Sequence, residues 1–359
     1  MPNKNLNQLE SYEAYIRRKK LTFVIAFAAT IIVGLFAISS GSLKIPIPEV
    51  FNSFFGKATP QSQITIMNIR LPRVTAAIVV GAVLAVSGAV MQCVLQNPLA
   101  SASTLGVSQG AAFGAALGII VFGGGVVNSD SAATAVTISN PYIVTICAFL
   151  FGSLSTFVVI LLSQFKKDLG PAGLILAGVA LSSLFTGGST LLQYFADETK
   201  ISSVVFWTFG NLGSAGWTEI LILTIVLFFA LVYFLLNRWN YNAMESGADT
   251  AKSLGVNTRR VMLVSMGICS LASAVAVSFV GIISFVGLVA PHIMRRFVGN
   301  DYRYLIPCSA VAGSLLLILA DTFARLIIAP VILPIGAITS FLGAPLFLYL
   351  LFRGFNSNG

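Results

Sequence analysis

Side chains able to do chemistry are scarce in this sequence, and where they fall limits what that chemistry can be. Asp, Glu, Lys and Arg make up 9% of the 359 residues, and there is one histidine, His292. One histidine cannot build a His-rich metal centre; beside Pro291 it reads as a hydrogen-bonding residue at a helix end. The four cysteines, Cys93, Cys147, Cys269 and Cys308, lie in apolar runs with no CxxC pair. They read as small buried hydrophobes rather than disulfides or ligands. No GxxxxGK[ST] phosphate loop occurs: the nearest string, Phe55-Gly56-Lys57-Ala58, lacks the preceding glycine and the hydroxyl. ATP hydrolysis by that route is excluded, and no catalytic, cofactor or metal site is expected. A proton-coupled carrier keeps an acid or a histidine at mid-membrane depth. Here the apolar stretches hold almost no ionisable group, Asp321 and Arg325 near one end excepted. Neither a charged ring nor a channel filter signature is visible.

The remaining polar residues gather in one place. Residues 238–260 (RWNYNAMESGADTAKSLGVNTRR) carry Arg238, Glu245, Asp249, Lys252, Arg259 and Arg260, so this stretch must lie in water. Residues 244–254 read as a short helix that Gly255 stops, with Val256-Asn257 turning the chain. A solvated loop is the ordinary reading of such a connection. The other reading is a structured surface offered to a soluble partner.

The elements that carry these residues are transmembrane helices. The chain is 57% hydrophobic with a mean hydropathy of +0.91, whereas a soluble domain carries about 25% charged residues. Spans of about 20 apolar residues fall near 21–39, 70–94, 107–127, 141–163, 172–195, 217–236, 261–281, 284–298, 304–328 and 335–352, the eighth short. The run Arg17-Arg18-Lys19-Lys20 ahead of the first span resembles a signal peptide. Its apolar part is too long and lacks a small-x-small cleavage site, so it reads as a retained span. With the N-terminus inside, fifteen of the 21 basic residues fall on the cytoplasmic side and six outside. That bias supports an all-α integral membrane protein of about ten transmembrane helices with both termini cytoplasmic. Residues 1–20 and 354–359 then form cytoplasmic ends, and 21–353 form one helical domain whose segment 238–260 faces the cytoplasm. The net charge of +9 is spread over many short loops, which marks topology rather than a nucleic-acid face. Gly110, Gly114 and Gly118 share one helix face, as do Gly81, Ala85 and Ala89, and both stripes permit close helix packing.

Several longer strings are specific. Arg70-Leu71-Pro72-Arg73 followed by VGAVLAVSGAVMQCVLQNPLASASTLGVSQGAAFG, then LAGVALSSL, AKSLGV, GIISFVGLVAPHIMRR, ADTFARL and LPIGAITSFLGAPLFLYLL, occur in that order over residues 60–353. The chain thereby resembles the permease subunits of the ABC importers for ferric siderophores, haem and cobalamin. The resemblance implies a ten-helix subunit in the cell membrane. Its partners would be a second permease subunit, two cytoplasmic ATP-binding subunits, an extracytoplasmic binding protein and an iron-chelate substrate, with no nucleic acid. It implies that Gly247, Asp249, Thr250, Ala251, Lys252, Ser253, Leu254 and Gly255 dock into the ATPase, with Ala251 and Leu254 as the apolar contact face. Ala248 departs from the acid often found there in related sequences. Arg70, Arg73 and Arg325 are implied as outer docking points for acidic residues of the binding protein, since a guanidinium grips a carboxylate bidentately. Membrane anchoring of Arg70 and Arg73, and neutralisation of Arg325 by Asp321 four residues earlier, are the competing readings. A cytoplasmic gate is implied at Asn97, Pro98 and Leu99 together with Gly170, Pro171, Ala172 and Gly173.

Two other classes compete with an ATP-driven importer. An ion-coupled secondary carrier lacks its mid-membrane carboxylate here. A membrane scaffold would explain residues 238–260 but not the outer arginines or the gate-like turns. Ferric siderophore is the first expectation for the cargo, then haem, then cobalamin.

Overall fold

The computed structural model describes residues 4–41, 43–124, 140–166 and 170–355, and every regular element among them is helical. The chain opens with α1 (Lys4–Ser39), passes through the short α2 (Ile47–Phe54) and α3 (Pro60–Ile64), and enters α4 (Leu71–Val94) by a π-helical turn at Thr65–Arg70. There follow α5 (Val107–Ile120), α6 (Pro141–Phe165), α7 (Pro171–Tyr194), α8 (Glu198–Thr208) and α9 (Trp217–Leu236). Two short helices, α10 (Arg238–Glu245) and α11 (Ala248–Ser253), precede α12 (Thr258–Val280), α13 (Val286–Val298), α14 (Tyr302–Leu326) and α15 (Ile335–Phe355).

Among the described residues, seven helices are long and apolar enough to cross a membrane: Tyr15–Ser39, Pro60–Val94, Pro141–Phe165, Pro171–Tyr194, Trp217–Leu236, Thr258–Val280 and Tyr302–Leu326. The other three expected stretches are helical but shorter: α5, α13 and the apolar Ile335–Tyr349 of α15. The end of the expected span 107–127 lies outside the described residues. Residues 4–20, expected as a separate end, continue the first span as one helix. At 1.5 Å per residue α1 is about 54 Å long, well beyond a hydrocarbon core of about 30 Å, so its N-terminal part projects out of lipid.

The bundle is organised around α4, whose side chains are almost all buried against α9, α12, α13 and α14. Small residues make this possible, because without a Cβ two backbones can touch. A Cβ on Gly81 would collide with the carbonyl of Gly313 in α14, and one on Gly88 with the carbonyl of Gly287 in α13. The glycine repeat of α5 works the same way against α6. Gly110 lies on the Phe151 carbonyl, Gly114 on that of Cys147, and Gly118 on the backbone of Val144. Cys93, Cys269 and Cys308 are buried, as expected of small hydrophobes, and Cys147 is half-buried.

Candidate functional site

Residues 238–260 do not form one helix. The expected helix over 244–254 is broken at Ser246-Gly247, where Gly247 takes φ +107°, a conformation open to glycine and strained for other residues. The Gly247 amide donates to the Met244 carbonyl at 3.0 Å, closing α10, and its carbonyl accepts from Ala251 at 3.0 Å, opening α11. Gly255, at φ +83°, ends α11 in the expected place and donates to the Lys252 carbonyl at 2.9 Å.

The expected contact face is also divided. Ala251 is fully buried in its own chain, so it is not free to meet a partner, whereas Leu254 is 69% exposed. The surface that α11 presents is instead Asp249, Thr250, Lys252, Ser253 and Leu254, followed by Gly255. Lys252 Nζ lies 3.2 Å from Asp249 Oδ1 across this surface. An exposed pair of this kind adds little stability and keeps the face polar around one apolar tip. Ala248, the departure noted above, is half-buried.

Beneath this surface α10 is mounted on the bundle by groups that local sequence patterns do not reveal. Tyr241 and Tyr302 are fully buried with ring centroids 5.7 Å apart, and the Tyr241 hydroxyl lies 2.9 Å from Ser265 Oγ. Asn242 donates to Asp301 Oδ1 at 3.1 Å while its own Oδ1 accepts from the Tyr302 amide at 2.8 Å. Glu245 accepts from Asn300 Nδ2 at 2.8 Å and from the Tyr302 hydroxyl at 3.3 Å. Gln96, at the end of α4, donates to the Met244 carbonyl at 3.1 Å. Asp301 also pairs with Arg303 at 2.8 Å and with Lys19 of α1 at 3.9 Å. Lys19 is itself buried, with Nζ 4.2 Å from the ring centre of Tyr15 and 5.1 Å from that of Tyr304. Helices α4, α12 and α14 therefore hold α10, and α1 braces the α14 end of the joint through Lys19.

At the opposite ends of α1, α4 and α14 the three arginines expected on the outer rim turn inward. Arg70 and Arg73 are buried, and Asp321 is 1% exposed. Arg73 Nε donates to Asp321 Oδ1 at 2.8 Å and Arg325 Nε to Oδ2 at 2.9 Å. Arg325 also donates to the carbonyls of Ser40 and Ala37, each at 3.1 Å. Arg70 donates to those of Ile38 at 2.8 Å, Ser39 at 2.9 Å and Leu43. The physical reason is the end of α1: the last four carbonyls of a helix have no partner within it, and cations satisfy them well.

Both expected gate turns lie on the same face as residues 238–260. Gln96 ties the first turn to α10, and the Arg259 guanidinium holds the end of α6, which precedes the second, by donating to the Ser163 carbonyl at 2.6 Å. Asn97 folds its own turn by accepting from the Leu99 amide at 2.8 Å, leaving Pro98 and Leu99 exposed. Gly170 opens α7 with Pro171 at its first position; Gly170 and Ala172 are exposed, and Gly173 is half-buried.

A groove that sequence reasoning missed runs along α7. This helix buries only Leu174, Gly178 and Phe185. A cavity of about 380 Å³ lies between it and the start of α5, lined chiefly by Ser103, Thr104, Gln109, Ser182, Ser183 and Thr186. Four hydroxyls on α7 are committed to their own helix. Ser182 donates to Gly178 at 2.8 Å, Ser183 to Val179 at 3.1 Å, Thr186 to Ser182 at 2.8 Å and Thr190 to Thr186 at 3.0 Å. Their donors are spent within the helix. Hydroxyls spaced three or four apart in LAGVALSSL and the residues after it were the available signal.

Residues 29–353 match the FecCD transport family. The chain belongs to that family. Among its relatives, a Methanocaldococcus jannaschii protein named as an ABC transporter permease is 51% identical, over 96% of this chain and 97% of its own length. The iron(3+)-hydroxamate import system permease FhuB of Bacillus subtilis is 37% identical, over 88% of this chain and 78% of its own. A solved metal-chelate type ABC transporter in an inward-facing conformation superposes with a TM-score of 0.79. It is 31% identical over 92% of this chain and 98% of its own. The FecCD match agrees with the resemblance read from the motifs over residues 60–353 and extends it back into the end of the first helix.

Proposed function

We propose that this FecCD chain is the permease subunit of an ATP-driven importer in the cell membrane and that its cargo is an iron chelate of the ferric-siderophore type. The observation that carries the reading is the mounting of α10 and α11. A base of Tyr241, Asn242 and Glu245 joins α10 to α12 and to the start of α14, while Asp249, Thr250, Lys252, Ser253 and Leu254 remain free to meet an ATP-binding subunit. A push on α11 would reach α4 through Gln96 and α14 through Asn242 and Asp301, so docking would move helices that flank the path. ATP hydrolysis belongs, in this reading, to two separate subunits.

The α7 groove is the proposed wall of the path, completed by a second permease subunit. Spent hydroxyl donors suit a route that a chelate must leave as readily as it enters. The turns at 97–99 and 170–173 would close it on the ATPase side. Cargo identity follows the hydroxamate relative; haem or cobalamin on the same machine is the runner-up. Docking of an extracytoplasmic binding protein through Arg70, Arg73 and Arg325 requires its carboxylates to replace Asp321 and the carbonyls of α1.

The deciding experiment is uptake into proteoliposomes holding the permease, its ATPase and its binding protein. Ferric hydroxamate should accumulate only with ATP and only with the ATPase present. Accumulation driven by an ion gradient without the ATPase would sink the reading, and uptake of haem or cobalamin alone would move the cargo assignment.

A further inference from the structure

Arg238 has no counter-ion within its own chain. Among the described residues no carboxylate lies within 4.0 Å of it. Its guanidinium makes one hydrogen bond there, from Nη1 to the Leu235 carbonyl at 3.2 Å, and its Nε is buried without a partner. The next residue, Trp239, is 58% exposed. The centre of its ring lies 5.8 Å from the Arg238 guanidinium and 4.9 Å from that of Arg303. Asp301 is already shared between Arg303 at 2.8 Å and Lys19 at 3.9 Å.

The surroundings of Arg238 are those of a membrane surface. Along α9, Phe228, Phe229, Val232 and Leu236 are exposed, and steps of three or four residues put them on one helix face. Trp239, three residues beyond Leu236, continues that apolar stripe past the end of the span Trp217–Leu236. At 1.5 Å per residue, Arg238 and Trp239 lie about 3–5 Å beyond the last residue of the span. Arg303 and Tyr304 stand at the start of the span Tyr302–Leu326, and Tyr15 and Lys19 at the start of Tyr15–Ser39. The Tyr304 ring links them, 5.6 Å from the Arg303 guanidinium and 5.1 Å from Lys19 Nζ. Three spans thus bring basic and aromatic side chains to one level, the arrangement expected at lipid headgroups.

We propose that Arg238 and Trp239, with Arg303 stacked behind the ring, bind the phosphate of an anionic lipid in the leaflet on the α10 side. The Arg238 guanidinium offers N–H donors in a fork that fits phosphate oxygens. Trp239 lays an apolar body with one polar tip where the acyl chains meet the headgroups. A zwitterionic lipid brings its own ammonium to the same cations and so gains less than an anionic one. The site requires that α9 spans the membrane; it does not require that ATP drives transport. The apolar stripe of α9 that leads up to Trp239 favours lipid over an acidic side chain of a soluble partner.

The test uses the full-length permease in bilayers, with tryptophan fluorescence quenched by brominated acyl chains. Trp207→Phe and Trp217→Phe leave Trp239 as the only tryptophan. From Trp239 quenching, the binding constant of brominated phosphatidylglycerol should exceed that of brominated phosphatidylcholine about fivefold. The preference should shrink as salt rises. Arg238→Gln should bring the two lipids close to parity, and Arg238→Lys should keep part of the preference. Equal constants for the two lipids in the unaltered site, or no quenching by either, overturn the proposal. Equal constants together with loss of ATPase co-purification in Arg238→Gln would assign Arg238 to the soluble partner instead. Displacement of the lipid by millimolar inorganic phosphate would reassign the site to a free anion and overturn the lipid assignment. Should Arg238→Gln fail to insert, the comparison of the two lipids at low and high salt decides alone.

Discussion

Arg73 donates its Nε–H to Asp321 at 2.8 Å, joining the start of α4 to the end of α14 across 248 residues of sequence. Asp321 uses its other oxygen for Arg325, so one buried carboxylate bridges two guanidiniums. Asp321→Asn leaves both arginines buried and short of an anion. Uncompensated buried charge of this kind costs about 3–5 kcal/mol. The expected outcome is a large fall in the unfolding temperature in detergent, with Arg325→Leu milder because it leaves the Arg73–Asp321 pair intact. Wild-type stability in Asp321→Asn would show that the cluster does not hold these helices together.

Much of this architecture was legible in the sequence, and the reasons divide cleanly. Glycines four residues apart at 110, 114 and 118 announce a contact face, since helix geometry alone puts them on one side. The positions of the long helices follow from apolar length. What stayed hidden depends on pairing between distant residues. The Arg325–Asp321 pair, four residues apart, was readable, but Arg70 and Arg73 look free until Asp321 and the carbonyls of α1 are brought beside them. Lys19 looks like one member of a basic run until Asp301 and two tyrosines enclose it. Ala251 and Leu254 look like one face until the fold buries the first and leaves the second, the C-cap of α11, exposed.

Ala251 and Leu254 should now respond differently to the same substitution. Leu254→Asp puts a charge on an exposed tip, so the permease should keep its stability while losing co-purification with its ATPase. Ala251→Asp puts a charge into a fully buried site and should destabilise the protein by more than about 2 kcal/mol. Comparing unfolding temperature with ATPase pull-down in the two variants separates these effects. Equal behaviour of both would contradict the division of the face.

The joint at Asp301 has a defined pH response. Burial pushes its carboxyl up, but hydrogen bonds from Arg303 and Asn242 outweigh that and hold it below the ordinary carboxylate value. A depressed pKa means that the joint's contribution is complete above the unfolded value, about 3.9. It fades only as pH falls through the folded value. Hydrogen exchange of α10 should therefore stay slow from neutral pH down to that region and quicken below it. Asp301→Asn should quicken exchange at neutral pH and remove the acid step, and Lys19→Met should quicken exchange in α10 although Lys19 lies on α1. Unchanged exchange in both variants would mean that α10 is held by Tyr241 and Glu245 alone.

The α7 groove can be distinguished from a lipid-facing surface by size against polarity. Thr186 lines the groove and spends its hydroxyl on the Ser182 carbonyl at 2.8 Å. Replacing it by the near-isosteric valine removes one helix-bonded hydroxyl and no bulk, so uptake should stay within about twofold, the effect of a few tenths of a kcal/mol. Thr186→Trp adds a large ring to a cavity of about 380 Å³ and should obstruct a path there. Both variants should insert and bind the ATPase normally, because α10 and α11 are untouched. Loss of uptake in Thr186→Trp with retained ATP hydrolysis identifies the groove as part of the route. A helix face bathed in lipid would instead accept tryptophan readily, and full uptake in that variant would assign the groove to lipid.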